Sequence, residues 1–333
     1  MSGPQRKRFV VVTSIRECTA AVKAFAARED WRVVFVGDRK GPKTITDERI
    51  EFLDIERQRR LDFEYVRHCP ENHYARKNIG YLHAIAQGAE VIAETDDDNF
   101  PGPDWGRSVD FDPHDVERAA GLRTFNVYRA FTEAPVWPRG FPLAEIRAAQ
   151  SPQWSRGPAK VGVWQELADD DPDVDAIFRL TRPERVRFVR RERLALGPHV
   201  YCPFNSQNTF WSPAAYPCLY LPGTVTSRYC DILRGYVAQR LFWERQLLLG
   251  FGPASVRQER NEHDLMRDFQ DELSMYLTVP RVLDLLERLA VTDAPTRELP
   301  RIHAALAQAG IVAGAEEAAV RSWCADLERL GVR

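Results

Sequence analysis

Two β-branched apolar runs, FVVVTSI at 9–15 and RVVFVG at 32–37, are separated by a helical spacing from about Thr19 to Arg28. A strand, helix and strand within so short a stretch predict a parallel pair joined by a right-handed crossover. Both runs end in polar residues, Thr13 and Ser14 after the first and Asp38 after the second. That puts them at the carboxyl edge of the predicted sheet, where a nucleoside could be held, although an ordinary loop start has the same pattern. No GxGxxG follows the first run, which argues against a dinucleotide-binding domain. A third short strand is predicted at Ile50–Asp54, and YARKNIGYLHAIAQG (74–88) predicts a helix with Ala75, Ile79, Leu82 and Ala86 on one face and Gly88 at its end.

The pattern is most abrupt at Glu90–Asn99, where the apolar Val91, Ile92 and Ala93 stop at Asp96, Asp97 and Asp98. Two carboxylates about 4 Å apart repel by roughly 4 kcal/mol at an effective dielectric near 20, so three beside a buried strand need a counter-ion or full solvation. A hard divalent cation such as Mg²⁺ or Mn²⁺, shared with substrate phosphates, is the natural partner, and a solvated acidic turn is the alternative. Arg76 and Lys77 stand in the first turn of the helix before this strand, the wrong sign for the positive end of a helix dipole. They therefore predict a pyrophosphate there, or else two side chains pointing to water.

Beyond the triplet, residues 100–160 are rich in Pro, Gly and Trp and read as ordered loop wrapping a site. Residues 168–180 (ADDDPDVDAIFRL) have no apolar strand leading straight into their acids, so DDDPD reads as a solvated turn. Residues 220–244 lead into an amphipathic helix with Asp231 in its first turn, where an acid is good dipole chemistry without any catalytic role. Residues 255–273 read as charged and helical, with His263 and Asp264 the metal-type pair of the C-terminal half, and three helical patterns from about 280 read as a small appendage.

Composition narrows the function classes. The 333 residues are 44% hydrophobic and 28% charged with net charge −2, an enzyme-sized soluble composition without a basic footprint for nucleic acid. The six cysteines form no CxxC pair and read as reduced thiols. No run approaches the roughly eighteen apolar residues of a membrane span, so a cytoplasmic protein is expected.

The segments VVVTSI, VVFVGDRK, YARKNIGYLHAIAQGAEVIAETDDDN, WPRGFPL, DPDVDAIFRLT, YLPGTVTSRYCDILRGYVAQR and VRQERNEHDL resemble, in order over roughly residues 9–275, the STELLO family of glycosyltransferases. That family is in turn similar to the UDP-arabinopyranose mutases, the reversibly glycosylated polypeptides. The resemblance implies a GT-A fold: an α/β domain with a mixed, mostly parallel sheet flanked by helices, over 1–278, followed by a helical appendage at 279–333. It places Asp96, Asp97 and Asp98 on the metal triplet, Arg139 on the arginine that the mutases glycosylate, Asp173 and Asp175 in the block lining the sugar pocket, and His263 on a metal-ligand histidine. Phe141 and Leu143 stand where the mutases have Tyr and Phe.

These readings converge on a transferase that takes a nucleoside-diphosphate sugar, a UDP-sugar, and an unidentified acceptor. Mn²⁺ or Mg²⁺ is expected on Asp96, Asp98 and His263, and Thr13, Ser14, Asp38, Arg76, Lys77, Asp96, Asp97 and Asp173 are expected around the sugar nucleotide. Asp231, then Asp175, is the candidate base. A mutase or self-glycosylating protein acting through Arg139 is the runner-up, and a silent sugar-nucleotide-binding subunit is the third reading. The C-terminal helices are the expected place for a homo-oligomer or partner contact.

Overall fold

The structure, a computed structural model, describes residues 7–107, 109–182, 184–189, 192–260 and 264–333. Its elements run β1 (Arg8–Thr13), α1 (Ala20–Ala26), β2 (Arg32–Val36), β3 (Ile50–Leu53), α2 (Ile55–Arg59), α3 (Lys77–Ala86), β4 (Val91–Thr95), β5 (Asn99–Pro101), β6 (His114–Ala120), β7 (Gln153–Asp169), α4 (Ala176–Thr181), β8 (Leu194–Leu196), β9 (Asn208–Trp211), α5 (Cys230–Glu244), β10 (Leu247–Gln258), α6 (Leu265–Arg288), α7 (Pro295–Gln308) and α8 (Glu316–Arg329). Among the described residues, all ten strands join one sheet. Along β3-β2-β1-β4 every pairing is parallel, as the strand-helix-strand spacing predicts. β9 then runs antiparallel to both β4 and β7, whereas β7 pairs parallel with β10. β10 closes antiparallel on β5 and β8, and β6 pairs antiparallel with β7 and parallel with β8, so the sheet is evenly mixed rather than mostly parallel.

The continuous apolar runs have a simple cause. Phe9 and Val11 of β1 face one core and Val10 and Val12 the other, so alternation disappears because both faces are covered. Helix α3 lies unusually close to the sheet: a Cβ on Gly80 would come within 2.6 Å of both Val11 and Val36. Glycine at that position lets α3 present its first residues to the carboxyl edge of β1 and β4.

Three expectations are corrected. The 100–160 stretch contains β5, β6 and the start of β7, whose first half is largely exposed and shows no apolar alternation to betray it. Residues 255–258 continue β10, and the helix expected from 255 begins only at Leu265, where Asp264 caps it by accepting from Met266 N and Arg267 N at 3.0 and 3.1 Å. The 278/279 boundary falls inside α6, which runs through Pro280 without a break. Packing of Met275, Val279, Val282 and Leu286 outweighs the N–H that Pro280 lacks. Helices α7 and α8 bury Leu299, Ile302 and Trp323 in the same core as the sheet. They are also latched to it, with Asp326 accepting from Glu64 N and Tyr65 N at 2.9 and 2.8 Å.

All six cysteines are free. Among the described residues no helix is long and apolar enough to cross a membrane.

Candidate functional site

The aspartate triplet forms the turn between β4 and β5, and each acid has its own environment. Asp96 accepts a 2.6 Å hydrogen bond from Tyr74 Oη and keeps a third of its side chain open to solvent. Its carboxyl is pushed up to about 7, first by desolvation and then by the charges of Asp98 and Asp173, against the pull of Lys77. Asp97 accepts from Ser14 Oγ, and its carbonyl accepts from Thr19 Oγ1 at 2.5 Å, which ties the ends of β1 and β4 together. Asp98 accepts from Gln258 Nε2 at 3.1 Å, and its carbonyl accepts from Glu259 N at 3.0 Å, so the end of β10 forms the other wall.

Lys77 lies fully buried beneath this turn. Its Nζ donates to Tyr74 Oη at 2.5 Å, Thr95 O at 2.9 Å and Ser206 O at 3.3 Å, and sits 3.8 Å from Asp96. All three protons are thereby used within the protein. Lys77 supports Tyr74 and Asp96 from below instead of reaching outward.

Arg76 is not brought to the triplet. Its guanidinium is buried against Gln58, donating from Nε at 2.9 Å and from Nη2, and against the carbonyl of Pro70 at 3.3 Å. The wrong-sign argument fails for a structural reason: Tyr74–Arg76 form a 3₁₀ turn, and α3 begins at Lys77, so Arg76 stands before the helix. Thr13 is likewise occupied within the sheet, donating to Val36 O at 2.9 Å. Asp38 accepts from the backbone N–H groups of Arg39 at 2.7 Å and His73 at 3.1 Å, and borders a cavity of about 660 Å³ at the ends of β2 and β3.

From Tyr74 the network continues inward. Ser206 Oγ bonds Tyr74 Oη at 3.1 Å and Asp231 Oδ2 at 3.4 Å. Asp231 in turn shares Arg139 with Asp173. Arg139 Nε and Nη2 meet Asp173 Oδ1 and Oδ2, each at 2.8 Å, while Nη1 and Nη2 meet Asp231 at 3.1 and 3.0 Å. Nη1 also donates to the carbonyl of Arg228. Gly140, at φ +83°, packs against Ile232, and this backbone turn is what delivers Arg139 to the start of α5. Burial works against the guanidinium's charge, but the two carboxylates outweigh it and hold Arg139 well above its ordinary value. Burial likewise raises Asp231, yet Arg139 brings it out below the usual aspartate value.

These facts change the roles of the candidate bases. An aspartate held ionised by a bidentate arginine is a weak proton acceptor, which argues against Asp231 as the base. Asp175 is fully buried and caps α4: Oδ1 accepts from Phe178 N at 2.8 Å and Oδ2 from Trp137 Nε1 at 2.6 Å. Burial pushes it up to about 6, but no route to the triplet follows from its contacts. The expected solvated turn at DDDPD is also overturned, since Asp171 pairs with Arg179, eight residues on, and Asp173 with Arg139, 34 residues earlier and outside any local pattern. Asp175→Ala is expected to lower unfolding free energy by about 1–3 kcal/mol, from the lost cap and the unpaired Trp137 N–H. Urea titration checks this, and nucleotide affinity should be unchanged.

Beneath the triplet, Glu94 of β4 is fully buried and meets Arg234 of α5 at 2.9 and 2.7 Å. It also accepts from Tyr81 Oη at 2.5 Å and from Trp211 Nε1. Tyr74, Ser206 and Gln258 were not singled out in the sequence. Tyr74 stands two and three residues from the cations that drew notice, whereas Ser206 and Gln258 carry no local signal.

Asp96 and Asp98 supply hard oxygen donors at the mouth of this network, a set suited to Mg²⁺ or Mn²⁺ that complete their shells on phosphate. Among the described residues no group of three or more His, Cys, Asp or Glu side chains is placed to hold a metal alone. His263, expected as a further ligand, lies outside the described residues.

The class so defined is an α/β protein with an acid-lined candidate site at the carboxyl edge of its sheet. The particular likeness is to two proteins of Arabidopsis thaliana. "Probable glycosyltransferase STELLO2" is 29% identical over 301 residues, which are 84% of this chain and 39% of that protein. "Probable glycosyltransferase STELLO1" is 28% identical over 303 residues, 85% of this chain and 39% of that one. The resemblance read from the sequence blocks thus holds over most of the chain, while the chain spans about two fifths of the length of the curated relatives it matches. No protein-family profile matches. The solved glucosyl-3-phosphoglycerate synthase of Mycobacterium tuberculosis superposes over 87% of this chain and 82% of its own at 9% identity and a TM-score of 0.37, too low to support any inference.

Proposed function

We propose that the chain is a GT-A glycosyltransferase that takes a nucleoside-diphosphate sugar, a UDP-sugar, and requires a divalent cation. The observation that carries this reading is the pair Asp96 and Asp98 in the turn at the end of a buried strand, with Asp96 partly open to solvent. Two neighbouring carboxylates supply hard oxygen donors for a cation whose shell is completed by a diphosphate. The similarity to two proteins named as glycosyltransferases supports the same class.

Asp96 and Asp98 would hold Mg²⁺ or Mn²⁺, which when bound supplies Lewis acidity toward a departing diphosphate. Tyr74 and Lys77 fix the orientation of Asp96, Ser14 fixes Asp97, and Gln258 fixes Asp98. Asp38, which borders a cavity at the ends of β2 and β3, would meet the nucleoside. Arg139 is engaged along every N–H-bearing nitrogen, so it positions Asp173 and Asp231, and its geometry lends no support to a nucleophilic role.

Calorimetry with UDP tests the reading. Binding should depend on Mn²⁺ and fall by tenfold or more, about 1.4 kcal/mol, in Asp98→Ala, with thermal melting to show that the variant is folded. Equal affinity in EDTA, or undiminished affinity in Asp98→Ala, overturns the metal-dependent reading. Tight Mn²⁺-dependent binding without release of sugar from any donor would point to the silent binding subunit.

A further inference from the structure

We infer that the arginine-lined cleft between the end of β10, α4 and the start of α6 binds an anionic group, phosphate or carboxylate, on the acceptor. The inference rests on the donor reading above for the word acceptor, and on the cleft's own chemistry for the word anionic. The cleft has a volume of about 530 Å³ and is lined by Arg179, Arg182, Arg185, Arg257 and Arg260. Gln258 and Glu259 form its shared wall with the triplet, since the same two residues bond the Asp98 carboxylate at 3.1 Å and carbonyl at 3.0 Å. A molecule seated there is next to a donor held at Asp96 and Asp98.

Acids also face the cleft, and three of its five arginines, Arg179, Arg257 and Arg260, are paired with carboxylates. Asp171 is paired with Arg179, Asp170 lies 3.4 Å from Arg187, and Glu259 lies 2.5 Å from Arg257. Arg260 is bonded to Asp268 at 2.8 Å. Arg182 and Arg185 stand exposed on the rim with Glu184 between them. Deeper in, the Nε groups of Arg179 and Arg260 are buried without a hydrogen-bond partner among the described residues. Burial, with Arg179 and Arg228 close by, draws Arg260 down to about 10. The two rim guanidiniums, with the two unbonded Nε groups behind them, suit a planar or tetrahedral oxyanion, which accepts from several N–H groups at once.

The test uses inorganic phosphate as the probe, titrated by calorimetry at fixed ionic strength with and without UDP and Mn²⁺. Phosphate should saturate on the wild-type protein, and the double variant Arg182→Glu/Arg185→Glu should weaken it by about tenfold or more while leaving UDP affinity in Mn²⁺ unchanged. Both side chains are exposed, so the fold should survive, and a melting curve verifies it. Asp98→Ala should do the converse. Phosphate that fails to saturate, or that binds the double variant as tightly as the wild type, overturns the inference. So does phosphate that loses as much affinity in Asp98→Ala as in the double variant, because it then occupies the donor site. If UDP fails to bind while phosphate saturates and responds to the double variant, the donor reading falls and the anion site stands.

Discussion

Arg139→Ala is expected to lower the unfolding free energy by about 3–5 kcal/mol at neutral pH, the usual consequence of removing one partner from a buried ion pair. The guanidinium bridges Asp173 and Asp231, and both carboxylates are left without it in a site closed to water. The sign of the pH dependence follows from Asp231. Its folded-state carboxyl lies below the ordinary value of 3.8 because Arg139 outweighs the effect of burial. A depressed acid stabilises the fold above its unfolded value and loses that contribution as pH falls through its folded value. The gap between wild type and variant should therefore be full at neutral pH and shrink below 3.8. Urea titrations at several pH values measure it. A gap under about 1 kcal/mol at neutral pH, or one that widens on acidification, would show that the pair does not hold this region together. The same preparations decide the mutase alternative. Intact mass after incubation with UDP-sugars and Mn²⁺ should show no added sugar, and a hexose or pentose that UDP removes and Arg139→Ala abolishes would reinstate it.

What could be read from the chain beforehand was what local pattern controls. β1, β2, β4 and α3 announced themselves because a strand buried on both faces needs an unbroken apolar run and a helix needs its stripe. The triplet was visible because three adjacent acids at a strand end demand explanation. What failed depended on partners far away in sequence. Asp173 looked solvated because nothing near it reveals Arg139, and Arg76 looked free because Gln58 lies 18 residues earlier. Asp231 and Asp175 drew attention as acids in a first turn or an acidic block, yet one is neutralised by an arginine and the other caps a helix. The first half of β7 escaped because its outward residues face water on both sides, so neither period two nor a continuous run appears.

The buried pair Glu94–Arg234 yields the other large effect. Glu94 lies two residues before Asp96 on β4, and Arg234 lies three after Asp231 on α5, so the pair clamps the two elements that carry opposite sides of the site. Arg234 also packs 4.9 Å above the ring of Trp211 and 5.7 Å from Phe204, which surround its charge with aromatic faces and exclude water. Glu94→Ala leaves that guanidinium buried with no carboxylate on it and frees the Tyr81 hydroxyl and the Trp211 N–H. About 3–5 kcal/mol of stability should be lost. Arg234→Met should lose a similar amount by stranding the acid. Because each single change leaves the other charge uncompensated, Glu94→Leu combined with Arg234→Met should cost clearly less than the sum of the single losses, with a coupling of about 1–3 kcal/mol in a double-mutant cycle. UDP affinity in Mn²⁺ should fall in the single variants even where the protein remains folded, since β4 and α5 are then free to shift relative to each other. Single variants that melt within about 0.5 kcal/mol of wild type, or losses that simply add, would show that the aromatic packing alone carries this contact and that the charges are incidental to it.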